Sequence, residues 1–135
     1  METLHLKVYV RARPTPSSEG GEKNGIMRAE HKLLYLQDAA KGHSSEFVFD
    51  RVFDAEASQE SVADEVGRPL VEHVLQGYNA CCFAYGQTGS GKTYSMFGAE
   101  TGDWELRGVI PRTCELLMRS AAELQAGGQV GQVTA

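Results

Sequence analysis

The sequence predicts an α/β layered domain with a central, mostly parallel β-sheet flanked by helices. Three observations support this fold class: an alternating apolar pattern near the N-terminus, an apolar run that enters a glycine-rich loop at residues 80–93, and two amphipathic segments. Strands that alternate with helices are typical of parallel sheets, because a helix carries the chain back across the sheet. With 135 residues and 41% hydrophobic side chains, the chain is sufficient for one core.

The N-terminal third predicts strands and loops. Apolar and polar residues alternate at positions 4–10, which indicates a strand with one covered face. Residues 15–25 are polar and rich in glycine, so they predict a loop. Short strand-like segments follow at residues 32–36 and 46–49, separated by the turn-prone residues 38–45.

A helix is predicted after Ser58, whose hydroxyl can cap it. Its apolar face recurs every four residues, at Val62, Val66, Leu70 and Val74. Pro69 interrupts this pattern and predicts a bend, since proline lacks the backbone N–H that continues the helix. Gly77 is well placed to end the helix before the next strand.

A second amphipathic helix is predicted from residue 110 onward, with Pro111 in its first turn. Its apolar positions are Ile110, Cys114, Leu117, Ala121 and Leu124. The three cysteines have neither metal-site nor disulfide-framework spacing. Because Cys81 and Cys82 lie in the apolar strand predicted at residues 80–85, we expect buried thiols.

The glycine-rich segment is a complete phosphate-binding loop of the form GxxxxGK[ST]. Its residues are Gly86, Gln87, Thr88, Gly89, Ser90, Gly91, Lys92 and Thr93. Glycines let the backbone approach phosphate oxygens closely, Lys92 supplies a positive charge, and the Thr93 hydroxyl is a ligand for Mg²⁺. A helix that starts at Thr93 would direct the positive end of its dipole at the same phosphates. Roughly 0.007 matches are expected by chance in a chain of this composition, so the motif predicts a nucleoside-triphosphate site.

The flanks of this loop resemble those of the kinesin motor domain, over residues 77–98. Three further segments agree with that family in order and spacing: VRARP at residues 10–14 is similar to its RxRP motif, FVFDRVF at 47–53 to its FxFDxVF strand, and GVIPR at 108–112 to its GxIPR helix start. The resemblance covers nearly the whole chain. It implies a P-loop NTPase-like fold and a microtubule-dependent motor ATPase that uses ATP and Mg²⁺.

The resemblance also implies a base-binding site. Arg11 and Pro14, with Arg13 in the same motif, would lie against the adenine, and Tyr94 would approach the base from the other side. A guanidinium and an aromatic ring both stack on a flat π system. Tyr94 departs from the histidine common at this place in the family. Without the resemblance, residues 11–14 would be interpreted as a charge cluster at a strand end.

The resemblance also implies a variable loop at residues 99–108, which interrupts the helix that follows the phosphate-binding loop. Trp104, the chain's only tryptophan, lies in the variable loop. Its expected role is a hydrophobic anchor that holds the loop on the surface, and a regulatory pocket is the alternative.

We expect residues 1–135 to form the N-terminal portion of a motor domain, with residues 128–135 opening a further central strand. The resemblance implies that the switch I serine and arginine and the switch II aspartate and glycine follow residue 135. No catalytic residue is therefore assigned within the chain, and we expect these 135 residues alone to fold poorly and to lack turnover.

Two alternatives remain open: a non-catalytic nucleotide-binding pseudo-motor or truncated regulatory fragment, and an unrelated P-loop kinase or GTPase. The second leaves three motifs unexplained, and the sequence contains no Asn-Lys-x-Asp guanine motif. A net charge of −5 excludes a globally basic surface for nucleic acid or membrane, and no apolar run reaches the roughly 18 residues of a membrane span. We expect a cytoplasmic protein on the microtubule cytoskeleton, with oligomerisation through a stalk left open.

Overall fold

The computed structural model describes residues 6–14, 25–38 and 42–127, which belong to two compact units, Met1–Ala57 and Ser58–Ala135. The strands of the first unit are β1 (Tyr9–Arg11), β2 (Gly25–Glu30), β3 (Leu33–Asp38), β4 (His43–Val48) and β5 (Arg51–Phe53). The helices of the second unit are α1 (Gln59–Leu75), α2 (Lys92–Met96) and α3 (Val109–Ala126). The predictions for residues 4–5, 15–24 and 128–135 lie outside the described residues.

Two sheets form in the first unit. β1 and β5 pair in parallel, with Val10 opposite Val52. β2, β3 and β4 form an antiparallel sheet with β3 in the middle. Helices and a parallel strand pair confirm the α/β class, and β3 lies where a short strand was predicted. β4 overlaps the strand predicted at residues 46–49 but begins at His43, within the segment predicted to be a turn. The larger layered sheet stays a prediction, since the described residues also contain this antiparallel sheet.

The segment at residues 47–53 does not form the single strand that its motif predicted. It splits at Phe49 and Asp50 into the end of β4 and the whole of β5, which belong to different sheets. Asp50 explains the break, because its N–H donates to the carbonyl of Val8 at 3.0 Å while its Oδ2 accepts the N–H of Val8 at 2.8 Å. These two bonds fix the chain just before β1, so β5 starts beside β1.

The phosphate-binding loop does not follow a buried strand, and this prediction was wrong. Residues 80–85 form no strand, and all six side chains are exposed, including Phe83 at 75% and Tyr85 at 96%. Apolar character favours a strand only where another strand supplies hydrogen bonds, and none pairs with this segment among the described residues.

The expected burial of the cysteines was also wrong. Cys81, Cys82 and Cys114 are all exposed. Desolvation of its sulfur, followed by the neighbouring thiol of Cys81, nevertheless raises the pKa of Cys82 above its ordinary value. The thiolate is the reactive form, so Cys82 is less nucleophilic at neutral pH than its exposure alone would indicate.

Both ends of α1 follow the sequence prediction. The Ser58 hydroxyl caps the helix by accepting the N–H of Ser61 at 3.0 Å. At the other end Gly77 takes a φ of +89°, while the N–H groups of Gly77 and Tyr78 donate to the carbonyls of Val74 and His73. This is a Schellman motif, which requires the left-handed conformation that glycine adopts without strain. The helix is continuous through Pro69, and the expected bend there stays a prediction.

α1 and α3 pack against each other. On the face predicted for α1, Val62 is buried, Val66 and Leu70 are half-buried, and Val74 is 41% exposed. On α3 none of the predicted positions is fully buried: Ile110, Leu117 and Ala121 are half-buried, and Cys114 and Leu124 are exposed. The predicted face is therefore confirmed for part of α1 and is only half-buried on α3. No helix within the described residues combines the length and hydropathy needed to cross a lipid bilayer.

Gly67 lies where α1 comes close to Thr113 of α3. A Cβ at this position would overlap the hydroxyl oxygen of Thr113, and that hydroxyl is buried without a hydrogen-bond partner among the described residues. The close crossing of α1 and α3 thus depends on glycine, which has no side chain, at position 67.

We expect Gly67→Ala to destabilise the protein by about 2 kcal/mol, because overpacking at a helix crossing outweighs the gain in helix propensity. In a Thr113→Ala background the same change should stabilise it by up to about 1 kcal/mol, since the obstructing hydroxyl is gone. Thermal unfolding of the parent, both single variants and the double variant measures the coupling. Equal effects of Gly67→Ala in the two backgrounds would contradict this packing.

Candidate phosphate-binding site

The loop at residues 86–93 has the backbone geometry of an anion site. Gly89 and Gly91 take φ values of +81° and +95°, which side chains rarely tolerate. The N–H of Ser90, between them, donates to the carbonyl of Gln87 at 3.2 Å and closes a tight turn. Left-handed residues at alternate positions occur in backbone nests, in which successive N–H groups can surround an anion.

The start of the loop also requires glycine, because the side chain of Ser90 lies close to the backbone there. A Cβ on Gly86 would lie 2.6 Å from the side-chain oxygen of Ser90. The three glycines therefore serve different purposes, with Gly86 leaving space for Ser90 and the other two supplying the left-handed backbone.

Lys92 closes the loop from the helix side. Its Nζ donates to the carbonyl oxygens of Gly86 and Gln87, at 2.8 Å in each case. Lys92 is half-buried, so its ammonium is held at the loop rather than extended into solvent. A phosphate oxygen is a stronger partner than a neutral carbonyl for the same ammonium, which lets the side chain exchange one for the other.

α2 begins at Lys92, one residue before the predicted start at Thr93. It has Gly91 as its N-cap and only five residues, none of them with a buried side chain. Thr93 is exposed in its first turn, and Gly98, at a φ of +92°, follows the end of the helix. The helix thus presents both functional side chains of the motif at the mouth of the loop.

The donor set of this loop fits Mg²⁺. Thr93 offers a hydroxyl oxygen, a hard ligand of the kind that Mg²⁺ prefers, and phosphates and waters complete the shell in sites of this type. Across residues 6–14, 25–38 and 42–127, no three His, Cys, Asp or Glu side chains are grouped to hold a metal by themselves. Thr93 therefore stays the candidate Mg²⁺ ligand, with substrate phosphates as its partners.

The residues predicted to hold the base are described in both units. Arg11 ends β1 in the first unit, and its guanidinium donates to the carbonyl of Ala57 at 3.1 Å. Arg13 and Pro14 follow it and are exposed. Tyr94 lies in α2 of the second unit, and 41% of its surface is exposed. Their assignment to an adenine site stays a prediction.

The variable loop is held by Arg107 within it and by Arg112 in the first turn of α3. The indole of Trp104 packs against two guanidinium groups, those of Arg107 at 4.7 Å and Arg112 at 5.0 Å from the ring centroid. Arg112 also donates to the carbonyls of Trp104, Glu105 and Arg107. These contacts favour the anchor role for Trp104, although the anchor is a cation–π pair of contacts rather than a purely hydrophobic one.

Sequence reasoning missed Gln59. This side chain is 2% exposed, and its Nε2 donates to the carbonyl oxygens of Tyr94 at 2.7 Å and Leu106 at 3.3 Å. A polar residue beside a helix cap is ordinarily assigned to the solvent, and no local pattern indicates partners 35 and 47 residues away.

Two kinds of comparison with known proteins find similar sequences. The profile of the family described as Kinesin motor domain matches residues 11–133. Kinesin-like protein Klp68D of Drosophila melanogaster is 41% identical over 116 residues, which cover 82% of this chain and 15% of that protein. Kinesin-like protein KIN-14C of Arabidopsis thaliana is 38% identical over 129 residues, covering 92% of this chain and 16% of that protein.

The chain thus spans about a sixth of the length of these relatives, and the matched part contains the complete phosphate-binding loop. The family profile extends over nearly all of the chain, and both relatives are about 40% identical to it. The chain belongs to the kinesin motor domain family.

Proposed function

We propose that this chain is the ATP-binding part of a microtubule-dependent motor ATPase, which couples ATP hydrolysis to movement along microtubules. The observation that carries the proposal is the position of Lys92, whose ammonium bonds the first two carbonyls of the glycine loop. Membership of the kinesin motor domain family supports the motor part of the proposal.

Each residue of the loop has a distinct task in this proposal. Gly89 and Gly91 let backbone N–H groups approach the phosphates, and Lys92 transfers its hydrogen bonds from carbonyls to phosphate oxygens. Thr93 contributes its hydroxyl to Mg²⁺. Bound Mg·ATP supplies the phosphoryl group that is transferred to water, and the chain contributes positioning and charge stabilisation.

Phosphate release by the full-length protein, with and without microtubules, tests this function. Stimulation by microtubules supports the motor ATPase. Nucleotide binding without release would favour the alternative, a non-catalytic nucleotide-binding pseudo-motor or regulatory fragment. Absence of both would reject the nucleotide site itself.

The proposed partner is the microtubule, and the proposed location is the cytoplasmic microtubule cytoskeleton. We propose no nucleic-acid partner and no insertion into a membrane, and we leave oligomerisation through a stalk open. The acidic net charge of −5 supports leaving out nucleic acid and membrane, because both attract basic surfaces, and it carries no information about tubulin. Co-sedimentation of the full-length protein with microtubules at increasing salt measures this partner directly.

Tyr94→Ala is expected to weaken ATP and GTP by similar factors, about 1 kcal/mol each, because stacking depends on the shape of the base more than on its hydrogen-bonding groups. Tyr94→Phe is the matched control, and it should leave both affinities unchanged since it keeps the ring. Titration with fluorescent analogues of the two nucleotides gives the four ratios. Loss of ATP binding alone would show a specific contact to adenine and contradict stacking.

A further inference from the structure

Gln59 is a polar residue that is almost completely buried, with 2% of its surface exposed. A buried amide is costly unless its donors are paired, and here Nε2 meets two backbone carbonyls, of Tyr94 in α2 and Leu106 in the variable loop. Gln59 itself is the first residue of α1. One amide group therefore joins three segments of the second unit.

α2 depends on such ties more than an ordinary helix does. Five residues are far below the roughly 12 to 15 at which an isolated helix becomes even marginally stable. Most helices gain their stability by burying an apolar face, yet no side chain of α2 is buried. Hydrogen bonds to its backbone therefore help to fix the direction of its axis, together with its contacts to α3.

The two carbonyls that Gln59 binds also take part in the backbone bonds that follow α2. The Tyr94 carbonyl accepts the N–H of Gly98 at 2.9 Å, and the Leu106 carbonyl accepts the N–H of Ala99 at 3.1 Å. The N–H groups of the consecutive residues Gly98 and Ala99 thus link the end of α2 to the variable loop. The side chain of Gln59, on α1, donates to the same two carbonyl oxygens. Removing its amide would release α2 from α1 while leaving these backbone bonds in place.

We propose that Gln59 is a positioning residue for the phosphate-binding loop. It fixes α2, and hence Lys92 and Thr93 in the first turn of α2, relative to α1. The inference rests on the proposed nucleotide-binding function. Its role is indirect, since the amide bonds the helix backbone behind the loop, and a misplacement of about 1 Å in a site that binds phosphates is enough to weaken it strongly.

The test compares Gln59→Met with Val71→Ala in the full-length protein. Methionine keeps the unbranched length of glutamine and removes both donors, and Val71 is an equally buried side chain of α1 that donates no hydrogen bond. We expect Gln59→Met to raise the Kd for Mg·ADP about tenfold. Val71→Ala should lower Tm and leave that Kd unchanged. Gln59→Glu keeps the volume but turns a carboxylate toward the same two carbonyl oxygens, so it should raise the Kd at least as much as Gln59→Met does.

Hydrogen–deuterium exchange without nucleotide gives a second reading that does not depend on binding. Residues 92–108 should exchange faster in Gln59→Met and at the parental rate in Val71→Ala. Parental Kd and exchange in both Gln59 variants would overturn the inference, as would failure of both variants to fold. If the parent binds Mg·ADP and the Gln59 variants bind it equally well, the inference fails and the proposed function stands. If the parent itself does not bind Mg·ADP, the proposed function fails.

Discussion

Lys92→Ala is expected to abolish ATP turnover by the full-length protein and to weaken nucleotide binding about a hundredfold. Lys92 is the side chain whose ammonium lies at the loop, 2.8 Å from each of two carbonyls. Removing it leaves the phosphates without their main charged partner, at a cost of about 3 kcal/mol. Phosphate release on microtubules and titration with a fluorescent nucleotide measure the two effects.

Arg68→Ala is the matched control for this change. Arg68 is a cation of the same unit, exposed on α1 and paired with Asp64 at 2.8 Å, so its loss removes one positive charge away from the loop. Because exposed ion pairs contribute little, we expect near-parental stability, binding and turnover. Microtubule-stimulated phosphate release at the parental rate in Lys92→Ala would show that the site has been assigned to the wrong residues.

Gly98→Ala is expected to reduce the free energy of unfolding by about 3 kcal/mol or more. Gly98 has a φ of +92°, and a Cβ there would overlap the carbonyl oxygen of Leu106 and lie 2.7 Å from the Cα of Arg107. These atoms belong to the backbone, so no side-chain rotation relieves the overlap. Denaturant unfolding of parent and variant gives the difference.

Gly102→Ala separates conformational strain from this overlap. Gly102 lies in the same loop with a φ of +76°, but a Cβ there would meet nothing within 4 Å. We expect a loss of about 1 kcal/mol from the left-handed conformation alone. If the two variants lost equal stability, the close approach of the chain on either side of the loop would be refuted.

Features that depend on neighbouring residues in the chain could be predicted from the sequence. The Ser58 cap, the Gly77 terminus and the glycine loop all follow from local backbone requirements that few residue types satisfy. The start of α2 was predicted to within one residue for the same reason. Local chemistry was therefore a sufficient guide to the phosphate-binding loop.

Features that depend on distant partners could not be predicted in the same way. The apolar pattern of residues 80–85 indicated a strand, but pattern alone does not supply the strand that must pair with it. The FxFDxVF segment divides because Asp50 bonds the backbone of Val8, 42 residues earlier. Gln59 was missed because its two partners are brought to it only by the packing of α1, α2 and the variable loop.

Calorimetric titration of the full-length protein measures most directly whether residues 86–93 bind Mg·ATP. We expect one ATP to bind per chain, with an affinity that weakens when Mg²⁺ is chelated and falls about a hundredfold in Lys92→Ala. Absence of binding by the parent, or binding that neither chelation nor the loss of Lys92 changes, would contradict this expectation.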